Sequence, residues 1–254
     1  MRPGHRASHP RTIAGEKAPR LRGRLTVMVS LLAVENGPGT ISWQRNGRYA
    51  AAAALVGSSL LWFVSDLVSF AAHGMGRVAF TQAHPQIVGL AISADMLSVP
   101  LMFGTVVVWY LLGRVASPRI ATAGAVMLTC GTAGQAILIG VDVAQHVIST
   151  HESDQLQPTA FEAALNGSMS VPFVVFFGLF YIGAFLGTLV SMVAVWRSRT
   201  LPRGALLLSL LFLLAAMSGV PAPVTAIELA ACVWFAAAIL RRRQRQLGGD
   251  PSGS

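Results

Sequence analysis

Residues 171–196, "VPFVVFFGLFYIGAFLGTLVSMVAVW", run without one charged side chain. A helix rises about 1.5 Å per residue, and crossing a hydrocarbon layer of about 30 Å takes about 20 residues. The run is long enough, and it lacks the polar stripe that a helix on a soluble surface carries. It therefore reads as a membrane-crossing helix. Five more apolar segments lie on either side, at 49–72, 87–112, 120–141, 205–220 and 221–240. Segment 205–220 is short and shares a "GVPAP" turn with the next, so the two read as a hairpin. Pro221 and Pro223 suit the first turn of a helix, where a missing N–H costs nothing. The expected fold class is all-α, an integral membrane bundle of six transmembrane helices.

Composition agrees. Of 254 residues, 54% are hydrophobic and 11% are charged, against about 25% charged in soluble domains. The net charge of +9 is a topology signal. Arg45 and Arg48 precede the first segment, Arg114 and Arg119 follow the second, Arg197, Arg199 and Arg203 follow the fourth, and Arg241, Arg242, Arg243 and Arg245 end the sixth. The alternate connections hold Arg77 alone. By the positive-inside rule both termini are cytoplasmic, in a cell (plasma) membrane protein. The lipid bilayer is the expected partner, with the basic ends attracted to anionic lipid. No aromatic-interleaved basic patch points to nucleic acid.

Residues 1–48 are expected to be a disordered basic tail with a short apolar run, "LTVMVSLLAV", too short to span. A basic stretch before such a run resembles a signal peptide, but "LLAVENGPG" offers no small-x-small cleavage site. Alternatively, translation begins downstream, for instance at Met28. Residues 49–243 form the six-helix domain, and 244–254 a disordered tail. The third connection, 142–170, is external on this topology, and "PTAFEAALNGS" reads as a short amphipathic helix ending at Gly167.

Acids inside a membrane are costly and are functional candidates by default. At 1.5 Å per residue Asp66 lies about 9 Å, Asp95 about 12 Å and Glu228 about 10 Å below the outer surface, with Asp142 at the outer end of the third segment. Each extends a polar stripe at helical spacing: Ser58, Trp62, Ser65/Asp66; Asp95, Ser98, Met102, Thr105; Gly131, Gln135, Asp142, His146; Thr225, Glu228, Cys232. Such stripes face the bundle interior. The expectation is an outward-facing polar cavity for a cation, proton or small solute, carried by Asp66, Asp95, Asp142, His146 and Glu228. The competing reading is hydrogen-bond glue between helices. Pro100, five residues past Asp95, is expected to kink its helix.

His73, His84, His146 and His151 all map to the outer side, but only Asp142/His146 has an i,i+4 spacing, so no metal site and no cofactor is assigned. Cys130 and Cys232 lie in apolar runs and read as packing residues. Gly183, Gly187 and Ser191, four apart, let a partner helix approach closely, within the fold or in a homo-oligomer or membrane partner. No enzyme is expected: six spans with both ends inside also describe rhomboid proteases, but the sixth segment has no histidine to serve as base.

Three stretches carry a resemblance: "SADMLSVPLMFGTVVVWYLLGRV", "FFGLFYIGAFLGTLVSMVAVWRSRTLPRGALLLSLLFLLAA" and "IELAACVWFAAAILRRR". They resemble a bacterial membrane protein family catalogued as domain of unknown function 4386. The matching positions are Asp95, the loop Arg199 to Arg203, Glu228 and Trp234; the family's glycine after the Pro-Arg-x-Leu turn stands here directly after Arg203, as Gly204. The resemblance implies a six-helix membrane protein, adds weight to Asp95 and Glu228, and supplies no mechanism. Two functions remain open: binding or transport of a cation, proton or small solute, or a structural or interaction subunit of a membrane complex.

Overall fold

A computed structural model of the chain describes residues 33–35, 41–43, 45–151, 156–167, 171–219 and 222–247. In chain order these form β1 (Ala33–Glu35), β2 (Ile41–Trp43), α1 (Arg45–Ala72), α2 (Arg77–Ala83), α3 (Pro85–Arg114), α4 (Pro118–His151), α5 (Leu156–Gly167), α6 (Val171–Ser198), α7 (Arg203–Met217) and α8 (Thr225–Leu247). The two strands pair antiparallel with Val34 opposite Ser42. This hairpin lies within the stretch 1–48 that composition reads as unstructured. Most of that stretch, and residues 248–254, lie outside the described residues.

Four helices are long and apolar enough to cross a membrane: α1, α3, α4 and the part of α6 from Val174 to Ser198. The apolar helix α7 is shorter. Large apolar side chains are exposed on the lateral surface, among them Leu90 at 66%, Leu97 at 61%, Ile182 at 59% and Leu214 at 58%. A soluble protein rarely presents such a surface, whereas lipid covers it.

Two boundaries differ from expectation. Helix α4 does not end at residue 141; it continues to His151, because "VDVAQHVISTH" contains no Gly or Pro to stop it. His151 is therefore the last residue of a helix and not part of a loop. Helix α8 begins at Thr225, so Pro223 precedes the helix and does not occupy its first turn. The short helix expected to end at Gly167 is present as α5.

Neighbouring spans run antiparallel. The hydroxyl of Thr105 on α3 bonds the Ala54 carbonyl on α1, while nearer the other end Ser65 bonds Asp95. One end of the bundle thus gathers Arg45, Arg114, Arg119, Arg197, Arg203 and Arg241. The tightest seam joins α4 and α6. A Cβ on Gly183 would sit 2.6 Å from the Gly131 nitrogen, one on Gly187 2.7 Å from the Leu128 nitrogen, and one on Gly134 2.7 Å from the Phe180 nitrogen. The small-residue stripe Gly183, Gly187, Ser191 is therefore filled within the fold by α4, with Ser191 facing Gly124.

The closest-packed core lies toward the basic end. Leu55, Leu111, Leu112, Val195, Leu206, Phe235 and Ile239 are all 2% exposed or less. Trp109 meets Phe235 edge-on at 5.5 Å. Gly204 packs against Trp234, where a Cβ would come to 2.8 Å of the indole. Arg203 lies 5.4 Å over Trp196, a cation–π contact at the basic rim. Farther from that rim the helices stop filling the space between them.

Candidate functional site

A cavity of about 320 Å³ opens above the core, lined by α1, α3, α4, α6, α7 and α8. Two acids face it, Asp66 and Glu228, and its described lining contains no Lys, Arg or His. Most of its wall is apolar and aromatic, including Trp62, Trp109, Phe180, Tyr181, Phe185 and Phe212. Trp62 and Phe212 form an edge-on pair at 5.6 Å. Tyr181 and Met217 line the cavity and are 52% and 65% exposed, so the cavity reaches the protein surface between α6 and the end of α7.

Asp66 bridges two helices. Its Oδ2 accepts from Thr225 Oγ1 at 2.6 Å and from Thr225 N at 3.3 Å. The carboxylate thereby satisfies an amide at the start of α8 that the helix itself leaves unpaired, and its negative charge suits that end of the helix dipole. Glu228 follows one turn later. Its Oε1 accepts from Cys232 Sγ at 3.5 Å, while Oε2 and the neighbouring Ser209 Oγ on α7 are buried and make no hydrogen bond of normal length. Buried polar atoms left in this state are uncommon.

Four hydroxyls of the wall share one property. Ser59 donates to Leu55 O at 2.8 Å, Thr132 to Leu128 O at 2.9 Å, Thr188 to Ala184 O at 2.7 Å and Thr105 to Ala54 O at 3.1 Å. A hydroxyl has one proton and two lone pairs. Each of these protons is spent on a backbone carbonyl, so what the hydroxyl turns to a guest is an oxygen lone pair.

Asp95, Asp142 and His146 are not among the cavity-lining residues. They lie beyond it, toward α2. Asp95 Oδ2 accepts from Ser65 Oγ at 2.5 Å, and its Oδ1 is buried without a partner. Asp142 forms an ion pair with Arg77 on α2 at 2.5 Å. His146 packs over Gly89, whose Cβ would meet the imidazole at 3.6 Å, and its Nδ1 is buried without a partner. Asp142, Arg77 and Asp66 are all electrostatic neighbours of Asp95. The five sequence candidates therefore divide into a cavity pair, Asp66 and Glu228, and an outer cluster. Gly183, Gly187 and Ser191 belong to the α4–α6 seam. Among the described residues no group of three or more His, Cys, Asp or Glu could hold a metal ion.

Sequence reading missed Arg77 as the partner of Asp142, although it is the lone basic residue of its connection. It also missed the aromatic wall on α6, whose residues look the same whether they face lipid or a cavity.

These features define an α-helical membrane protein with a bundle cavity. No family model, no curated protein and no solved structure matches the chain.

Proposed function

We propose that this is a six-span protein of the cell membrane, with both termini cytoplasmic, that binds a cation or small cationic solute inside the bundle and is a carrier for it. It performs no covalent chemistry and needs no cofactor. The observation that carries this reading is the cavity itself: two carboxylates and no cationic residue among its described lining residues. The positive-inside distribution supports the topology, with α7 and α8 as the fifth and sixth spans. The cavity lies away from the basic end, which on this topology places it in the outer half of the bundle. Membership of the domain of unknown function 4386 family is part of the proposal; Glu228, one of the positions behind that resemblance, lines the cavity.

The alternative, a structural or interaction subunit, drew on the Gly183/Gly187 face and on the external connection 142–170. The glycine face is occupied by α4, so that reading rests on the connection alone.

The test uses purified protein in lipid nanodiscs. Thermal unfolding is followed while protons, alkali cations and small organic solutes of each charge are titrated. A ligand raises the midpoint by mass action, about 2.7 kcal/mol at a hundredfold excess over Kd. A cationic ligand should raise it in the native protein and not in Asp66→Asn or Glu228→Gln. If no class of ligand shifts the native midpoint, the binding reading fails.

A further inference from the structure

We propose that the guest of this cavity is a protonated organic amine with an apolar body, its ammonium group against Asp66 and Glu228 and its body against the aromatic wall. This deepens the binding reading above and rests on it.

Three independent features select that chemistry. The first is sign: two carboxylates line the cavity without a Lys, Arg or His among the described lining residues. The second is hydrogen-bond polarity. The protons of Ser59, Thr105, Thr132 and Thr188 are committed to backbone carbonyls, and that of Thr225 to Asp66. These five hydroxyls thus turn acceptors toward a guest, and Glu228 Oε2 makes no hydrogen bond of normal length. A primary or secondary ammonium ion brings two or three N–H donors and no acceptor, whereas a carboxylate brings only lone pairs and an alcohol a single donor without charge. The third is size and surface. About 320 Å³ falls in the range of small-molecule pockets and far exceeds a bare metal ion. A hard cation also asks for six to eight oxygen ligands, and most of this wall is carbon. Aromatic faces instead hold an organic cation by cation–π attraction. The lateral opening beside Tyr181 and Met217 suits a guest with apolar surface.

Equilibrium dialysis on the full chain in nanodiscs, corrected with empty nanodiscs, tests the assignment with three probes of one shape: phenethylamine, 2-phenylethanol and 3-phenylpropanoate. The amine should bind saturably, and the alcohol and carboxylate at least about tenfold more weakly, the scale of a lost charged hydrogen bond. Asp66→Asn and Glu228→Gln, both near-isosteric, should each weaken the amine by about tenfold or more without changing the alcohol. Thr132→Val, which removes an acceptor and leaves volume unchanged, should weaken the amine several-fold and provides a variant that alters no charge. Alcohol or carboxylate binding as tight as the amine overturns the amine class and leaves a binding cavity. Amine binding untouched in all three variants overturns the site. Absence of saturable amine binding overturns the amine class, and the unfolding titrations above then decide whether the cavity binds any cation.

Discussion

Asp66 on α1 accepts two hydrogen bonds from Thr225, one from its hydroxyl at 2.6 Å and one from its backbone N–H at 3.3 Å. One carboxylate thus fastens the start of α8 to α1 and faces the cavity as well. Its structural and binding roles separate by substitution. Asp66→Ala removes the acceptor and should lower stability by about 0.5–2 kcal/mol, the range for losing an N-cap side chain. Asp66→Asn keeps an acceptor oxygen and should unfold close to the native midpoint while losing cation affinity. Thermal unfolding of both in the same nanodiscs makes the comparison.

The α4–α6 seam leaves no room for side chains. Gly183→Leu and Gly187→Leu should both abolish a monodisperse folded species on size exclusion, because backbone atoms of α4 occupy the space and overpacking costs about 1–3 kcal/mol or more. Gly178→Ala is the control on the same helix: nothing lies within 4 Å of the point its new methyl group would occupy, and it should behave as native.

The Arg77–Asp142 ion pair is half open to solvent, with side chains 51% and 32% exposed. Pairs of this kind contribute about 0–1 kcal/mol. Arg77→Ala should shift the unfolding midpoint little, and the shift should shrink further in high salt. A loss above about 2 kcal/mol would show that the outer cluster, with the buried and unpartnered Asp95 Oδ1 and His146 Nδ1, depends on Arg77 far more than an exposed pair explains.

The topology is checked by single cysteines. In a protein lacking Cys130 and Cys232, Ala116→Cys and Arg199→Cys should react with an impermeant maleimide only after the cells are opened. Met75→Cys should react in intact cells. The reverse pattern would turn the cavity toward the cytoplasm.

Much of this fold is legible in the residues, and the limit has a physical cause. Length and apolarity mark α1, α3, α4 and α6 as spans. Polar spacing correctly turns Asp66 and Glu228 inward. The same spacing also groups Asp95 with Met102, and Asp142 with Gln135, seven residues apart in each case. Seven residues return a helix to almost the same face but move about 10 Å along it. Periodicity therefore fixes the direction of a side chain and not the level at which it meets its neighbours. Met102 and Gln135 reach the cavity, while Asp95 and Asp142 lie a level above, with Ser65 and Arg77. The α6 aromatics were illegible for a different reason: lipid and an apolar cavity select the same side chains.

Cation preference inside the cavity is the central claim, and a thiol placed within it reads that preference directly. Thr188→Cys, with Cys130 and Cys232 replaced by Ala, is modified in nanodiscs by ethylammonium and ethylsulfonate methanethiosulfonates, each rate normalised to a free thiol. The cationic reagent should react at least about tenfold faster, and adding Asp66→Asn and Glu228→Gln should bring the two rates together. Equal rates with both acids present, or a faster anionic reagent, would contradict a cation-selective cavity.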